Sequence, residues 1–73
     1  MSKQLPIILE RDEDGVYVAE CPLFDGCYSQ GQTIDEAMRN IREVVALAVA
    51  EKEGREFLRS YSPRELGFHT LSV

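Results

Sequence analysis

The sequence predicts an α+β fold, in which an antiparallel β-sheet carries one long helix packed across a face. Three observations lead to this prediction. Short runs of branched apolar residues are separated by turn residues. A helix-start signal then precedes an apolar stripe. Finally, residues 66–73 show a loose alternation of apolar and polar residues, which is typical of a strand. The predicted order of elements is β-β-β-α-β, within a single domain of residues 1–73.

The first two strands are predicted on either side of a tight turn. The first is "QLPIILER", Gln4–Arg11, and Pro6 places its beginning at a strand start or a sheet edge because proline lacks the N–H that a ladder needs. The hairpin turn is predicted at Asp12–Gly15, in which Asp14-Gly15 is the pair that a tight turn with positive φ favours. The second strand follows in "GVYVAEC". Both alternating sets of its side chains are largely apolar, so the pattern leaves open which set faces the core.

A third strand and the helix follow a second turn. "PLFDG" is the turn and "CYSQG" the strand, which together predict a three-stranded meander. Thr33 and Glu36 form a capping box, in which the Thr33 hydroxyl accepts from the Glu36 N–H and the Glu36 side chain reaches back toward the residues before the helix. An apolar stripe at three- and four-residue steps continues from there. The helix is predicted over Thr33–Glu53, about 30 Å long, and Gly54 is expected to end it.

The C-terminal half of this helix is apolar on almost every side. Such a helix is normally buried on more than one face, and two covers are open: a second copy of the chain, or the segment Glu56–Gly67 folding back. A chain this short buries only about 60 % of its unfolded surface, which favours a homo-oligomer, most simply a dimer. A predicted edge strand, Leu66–Val73, would also invite pairing. The expected interface residues are Val45, Val49, Phe68 and Leu71.

Composition and charge restrict the classes of function. The formal net charge is −5, which argues against direct binding to nucleic acid and favours a basic protein partner. The N-terminus lacks a signal-peptide pattern, and the longest apolar run is far below the ~20 residues that span a bilayer. We therefore expect a cytoplasmic protein with no membrane contact, in which Cys21 and Cys27 are reduced.

Residues suited to catalysis are present but scattered. Asp12, Glu13 and Asp14 fall in a predicted turn tip, where acidic side chains usually only face solvent, whereas two-metal hydrolysis needs carboxylates that converge. His69 has no acid or nucleophile near it in sequence, and two cysteines with one histidine cannot complete a structural zinc site. We expect no enzymatic activity, no cofactor and no metal.

A long stretch of the chain resembles the HicB antitoxin family. That family combines a D-x-D-G turn, a strand Y/W-V-A-x-x-P, a segment P-G-C-x-x-x-G-x-T and a helix x-x-E-A-x-x-N-I-x-E. The resemblance covers about residues 5–50, and Phe24-Asp25 replaces the usual Leu-Pro. The matching positions are Asp12, Asp14, Gly15, Tyr17, Val18, Ala19, Pro22, Gly26, Cys27, Gly31, Thr33, Glu36, Ala37, Asn40, Ile41 and Glu43.

The resemblance implies a partial RNase H-like fold and a role as an antitoxin. Such a protein would bind a small basic mRNA-cleaving toxin of the HicA type and cover its active site. Many family members carry a further DNA-binding module, and none is expected within these residues. The alternative is an orphan HicB-like, homo-oligomeric accessory protein with a different partner. The expected partner-binding residues are Asp12, Asp14, Tyr17, Phe24, Asp25 and Tyr28.

Overall fold

A computed structural model describes residues 3–63 and 65–73 and confirms the α+β fold class. A three-stranded antiparallel sheet is followed by two helices, so the observed order is β-β-β-α-α. The elements are β1 (Ile8–Arg11), β2 (Tyr17–Glu20), β3 (Tyr28–Gly31), α1 (Ile34–Ala50) and α2 (Lys52–Ser60). Each strand is shorter than the run that predicted it.

The β1–β2 hairpin forms where the sequence predicted it. The Asp12 carboxylate accepts from the backbone N–H groups of Asp14 and Val16, at 3.0 and 2.9 Å. Gly15 has a φ of +83°, a conformation that costs glycine little and other residues more. Asp12 and Gly15 together fix this turn, and β2 then pairs with β3, so the spatial order β1-β2-β3 follows the chain.

Helix α1 begins at its predicted cap. The Thr33 hydroxyl accepts from Glu36 N at 3.1 Å, and the Glu36 carboxylate accepts from Gln32 N at 3.2 Å. One face of α1 then packs on β2 and β3. The buried apolar core consists of Ala19, Cys21, Cys27, Ala37 and Ile41. Leu9 and Ser29 are the cross-strand partners of Ala19, and cross-strand partners project to the same side of a sheet. Because Ala19 is buried, the side that carries these three residues is the one that faces the helix.

The predicted end of the helix is wrong. Helix α1 stops at Ala50, Glu51 takes an extended backbone with ψ 153°, and a second helix follows. The Arg55 guanidinium donates to the Ala50 carbonyl oxygen and so caps the end of α1. Gly54 lies buried inside α2 rather than after a helix. A side chain there would collide with α1, because a Cβ would stand 1.9 Å from the Ala48 carbonyl oxygen.

The second helix covers part of the apolar half of α1. It packs on α1, and its Phe57 meets Phe24 edge-on with ring centroids 5.5 Å apart. Val45 and Val49 are half-buried as a result, while Leu47 is still 73 % exposed. Of the segment Glu56–Gly67, which was expected to fold back as one of the two covers, residues 56–60 do so as part of α2.

The predicted fourth strand is also wrong. Residues 65–73 form no strand, and Leu66, Phe68 and Leu71 are all largely exposed. The alternation of apolar and polar residues changes phase within the segment. In a strand, Leu66 and Phe68 would face one side of the sheet, and Leu71 and Val73 would face the other. Such a strand has no single apolar face to bury against α1.

Candidate functional site

The helices leave one side of the sheet uncovered, and we call this side the open sheet face. Cross-strand partners project to the same side of a sheet, so the register gives its composition directly. One row joins Ile8, Glu20 and Tyr28, and the next joins Glu10, Val18 and Gln30. The face therefore consists of Ile8, Glu10, Val18, Glu20, Tyr28 and Gln30.

The open sheet face combines apolar and acidic groups. Ile8 is 36 % and Tyr28 63 % exposed, and Val18 is half-buried between the outer strands. The carboxylates of Glu10 and Glu20 are exposed, and the face carries no basic residue. Such a surface suits a partner whose interface places cations beside apolar groups.

The hairpin turn extends this acidic surface beyond β1 and β2. Asp12, Glu13 and Asp14 are all exposed. The Asp12 carboxylate is occupied by the two backbone N–H groups of the turn, so its first task is structural. Glu13 and Asp14 carry the charge that the turn presents to solvent.

Two predicted partner-binding aromatics lie elsewhere. Tyr17 is half-buried on the helix side of the sheet, and the Arg11 guanidinium lies 5.6 Å from its ring centroid. Phe24 is half-buried against Phe57 of α2. Both side chains therefore contact this chain's own residues.

The remaining predicted residues lie close to β3. Asp25 is exposed in the loop that enters β3, beside Gly26, and Tyr28 is the first residue of β3. The structure thus brings only Tyr28, of the predicted set, onto the open sheet face. Sequence reasoning missed Ile8, Glu10, Val18, Glu20 and Gln30. The first four lie on β1 and β2, whose alternating side chains could not be assigned to a side of the sheet from the pattern alone, and Gln30 lies on β3.

The two cysteines lie opposite each other in the core, where Cys21 N donates to the Cys27 carbonyl oxygen at 2.9 Å. Both are free and buried. Burial raises the pKa of the Cys27 thiol, and the neighbouring Cys21 thiol raises it further. Low-pKa, exposed thiols are the reactive ones, so this environment is typical of structural cysteines.

Neither a metal centre nor a membrane segment is found in the part of the chain that the structure describes. Over residues 3–63 and 65–73, histidine, cysteine and acidic side chains form no group of three that could hold a metal ion. His69 is exposed in the C-terminal segment. The described helices are all too short or too polar to cross a bilayer.

Comparison with known proteins gives the family. The family model described as the HicB-like antitoxin of bacterial toxin–antitoxin systems matches residues 5–64, which is most of the chain. This chain belongs to the HicB-like antitoxin family. Membership supports an antitoxin role in general, and with it a toxin partner and a regulatory rather than an enzymatic task.

Proteins similar to this chain occur in bacteria and archaea. A UPF0150 protein of Synechocystis is 56 % identical over 54 residues, covering 73 % of this chain and 78 % of the relative. A second Synechocystis UPF0150 protein is 38 % identical over 73 residues, which is 100 % of this chain and 99 % of the relative. A UPF0150 protein of Archaeoglobus fulgidus is 38 % identical over 50 residues, covering 68 % and 72 %. No solved structure matches the chain.

Proposed function

We propose that this chain neutralises a small basic, mRNA-cleaving toxin of the HicA type by laying its open sheet face over the toxin's active site. The observation that carries the proposal is the composition of that face. On a surface without a basic residue, Glu20 lies between Ile8 and Tyr28 in one row, and Glu10 lies beside Val18 in the next. Family membership supports the antitoxin role, and the open sheet face gives it a physical means.

The charge of the toxin's active site follows from its substrate. An enzyme that cleaves RNA binds a phosphate backbone, which requires cations at or near its active site. Carboxylates placed over those cations exclude RNA because they pair with the cations that would otherwise bind its phosphates. They also accelerate the encounter with a basic protein. The net charge of −5 and the acidic hairpin tip of Glu13 and Asp14 act in the same direction.

The apolar part supplies the affinity. Tyrosine is enriched among the residues that dominate binding energy at interface centres, and Tyr28 is the most exposed apolar group of the face. Ile8 stands in the same row, two strands away, and Val18 lies in the next row. Burial of these apolar side chains removes water from around Glu10 and Glu20, which strengthens the attraction of the two carboxylates to the toxin's cations.

The other predicted partner-binding residues take two roles in this proposal. Asp14 and Asp25 contact the toxin at the ends of the face. Asp12, Tyr17 and Phe24 hold the hairpin and the β2–β3 loop in position, through the contacts that each makes within the chain.

The proposal is tested by measuring RNA cleavage by a purified HicA-type toxin encoded beside this chain's gene. Wild-type chain is expected to abolish cleavage at a one-to-one ratio. Glu20→Lys places a like charge against the toxin's cations, and we expect at least about a tenfold loss of inhibitory potency, since like-charge contacts cost several kcal/mol. Tyr28→Asp should weaken inhibition as well.

Glu56→Lys is the matched control. It makes the same change of charge at an exposed site on α2, away from the sheet, and should inhibit nearly as well as wild type. Equal losses for Glu20→Lys and Glu56→Lys would show that only net charge matters and would contradict a specific face. Absence of any binding to such a toxin would favour the accessory-protein alternative.

A further inference from the structure

A second surface, on the helix side, differs from the open sheet face in both charge and shape. An apolar groove runs between the segment before β1 and the two helices, and its floor consists of Leu5, Ile7, Val45, Val49 and Leu58. These side chains are only half-buried. Four cationic residues line the rim: Lys3, Arg42, Arg55 and Arg59. We call this surface the basic-rimmed groove.

The charge of the groove is unusual for this chain. The sequence has eight lysines and arginines against thirteen acidic residues, and half of the eight surround this one groove. Lys3 is held there, because its Nζ donates to the carbonyl oxygens of Arg59 and Tyr61 at 3.0 and 2.7 Å. An apolar segment with an acidic residue beside it fits such a surface best.

The C-terminal segment, residues 65–73, has that chemistry. Glu65 precedes Leu66, Phe68 and Leu71, which are 62, 78 and 86 % exposed. Monomeric proteins seldom expose so many large apolar side chains together. An extended chain with about three residues per turn places Phe68 and Leu71 on the same side.

The segment starts on the wrong side of α2 to reach the groove of its own chain. Leu66 lies beside Phe57, Ser60 and Tyr61. The groove is lined by Arg55, Leu58 and Arg59, on the opposite face of the same helix. To fill its own groove, the segment would have to turn around the end of α2.

We propose that the C-terminal segment of a second copy of this chain occupies the basic-rimmed groove, and that two copies exchange segments in a two-fold dimer. Phe68 and Leu71 of one copy bury the floor at Val45 and Val49 of the other, and Glu65 meets the cationic rim. Because the contact is reciprocal, one exchange covers two segments and two grooves. The open sheet face stays free in this dimer, so the proposal is independent of toxin binding.

Light scattering at micromolar concentration gives the first test. Wild-type chain is expected at twice its 8.3 kDa mass. Phe68→Asp and Val49→Asp, one on each side of the contact, should each give a monomer. Leu47→Asp is the matched control, because Leu47 is an exposed apolar residue of α1 outside the groove and the segment, and its dimer should persist. A wild-type monomer, or dissociation by Leu47→Asp alone, would overturn the proposal.

Cross-linking of mixed variants decides the geometry even if an aspartate variant unfolds. Leu71→Cys and Met38→Cys place one thiol on the segment and one at the end of the groove, and Cys21 and Cys27 are buried. A short bis-maleimide should join the two variants only when they are mixed. A mixture of Leu71→Cys with Glu13→Cys, at the hairpin turn, should give no comparable product. Equal cross-linking in both mixtures, or none in the first, would contradict segment exchange.

Discussion

Replacement of Gly54 with alanine is expected to destabilise the fold, although alanine is the better helix former. In an exposed helix this change would stabilise by about 1 kcal/mol. At Gly54 an added Cβ would stand 1.9 Å from the Ala48 carbonyl oxygen and 3.1 Å from Val49 Cα. Both neighbours are backbone atoms of α1, so no side-chain rotation can relieve the contact.

The magnitude follows from the distance. The two helices must separate by about 1 Å before the contact reaches the 3.0 Å that real Cβ atoms observe. Overpacking of this kind costs about 1–3 kcal/mol, and a backbone collision belongs at the upper end. Subtraction of the gain in helix propensity leaves a net loss of about 2 kcal/mol.

Urea unfolding followed by circular dichroism measures this loss. Small domains lose about 1 kcal/mol of stability per molar urea, so the unfolding midpoint should fall by about 2 M. If the variant is largely unfolded in water, the comparison can be made in an osmolyte that stabilises both proteins. Glu56→Ala, at an exposed position of the same helix, is the control and should shift the midpoint little. A midpoint that rises for Gly54→Ala would refute the close approach of α1 and α2.

Three further predictions concern the cap, the core thiol and catalysis. Thr33→Ala removes the hydroxyl that accepts from Glu36 N, and should lower the free energy of unfolding by about 1 kcal/mol; an unchanged midpoint would contradict the cap. Burial raises the pKa of the Cys27 thiol in the folded chain, so the unfolded chain loses the Cys27 thiol proton first as the pH rises past the usual thiol pKa of 9.0. The free energy of unfolding should therefore fall above that pH, and it should fall less in Cys27→Ala. Purified chain should cleave neither RNA nor DNA with Mg²⁺ or Mn²⁺, and cleavage that disappears in Asp12→Asn would disprove this expectation.

The parts of the fold that sequence predicted are those with local causes. The Asp12–Gly15 turn and the Thr33 cap depend on hydrogen bonds within a few residues, and both formed where they were predicted. The helix end was missed because Gly54 has two opposite uses. Glycine often ends a helix, because its backbone is free to leave the helical conformation. At position 54 its missing side chain instead lets α1 and α2 pack closely, and only the position of α1 distinguishes these two uses.

The candidate site required the sheet register. Successive side chains of β2 point to opposite sides of the sheet, but Tyr17 and Val18 are both apolar, so hydrophobicity could not tell which of the two faces α1. Once Ala19 is seen buried, Val18 and Glu20 must point the other way. Tyr28 was predicted for its residue type, and Glu20 was missed because an isolated acid in a strand carries no signal of its own.

The most direct test of the central claim is a nuclear magnetic resonance titration of the ¹⁵N-labelled chain with its toxin. Covering of the open sheet face predicts that the amide signals of residues 8–10, 18–20 and 28–30 shift or broaden, together with those of the hairpin turn. Signals from α2 and the outer side of α1 should change little. Changes confined to the helices, with the strand signals unmoved, would contradict the account.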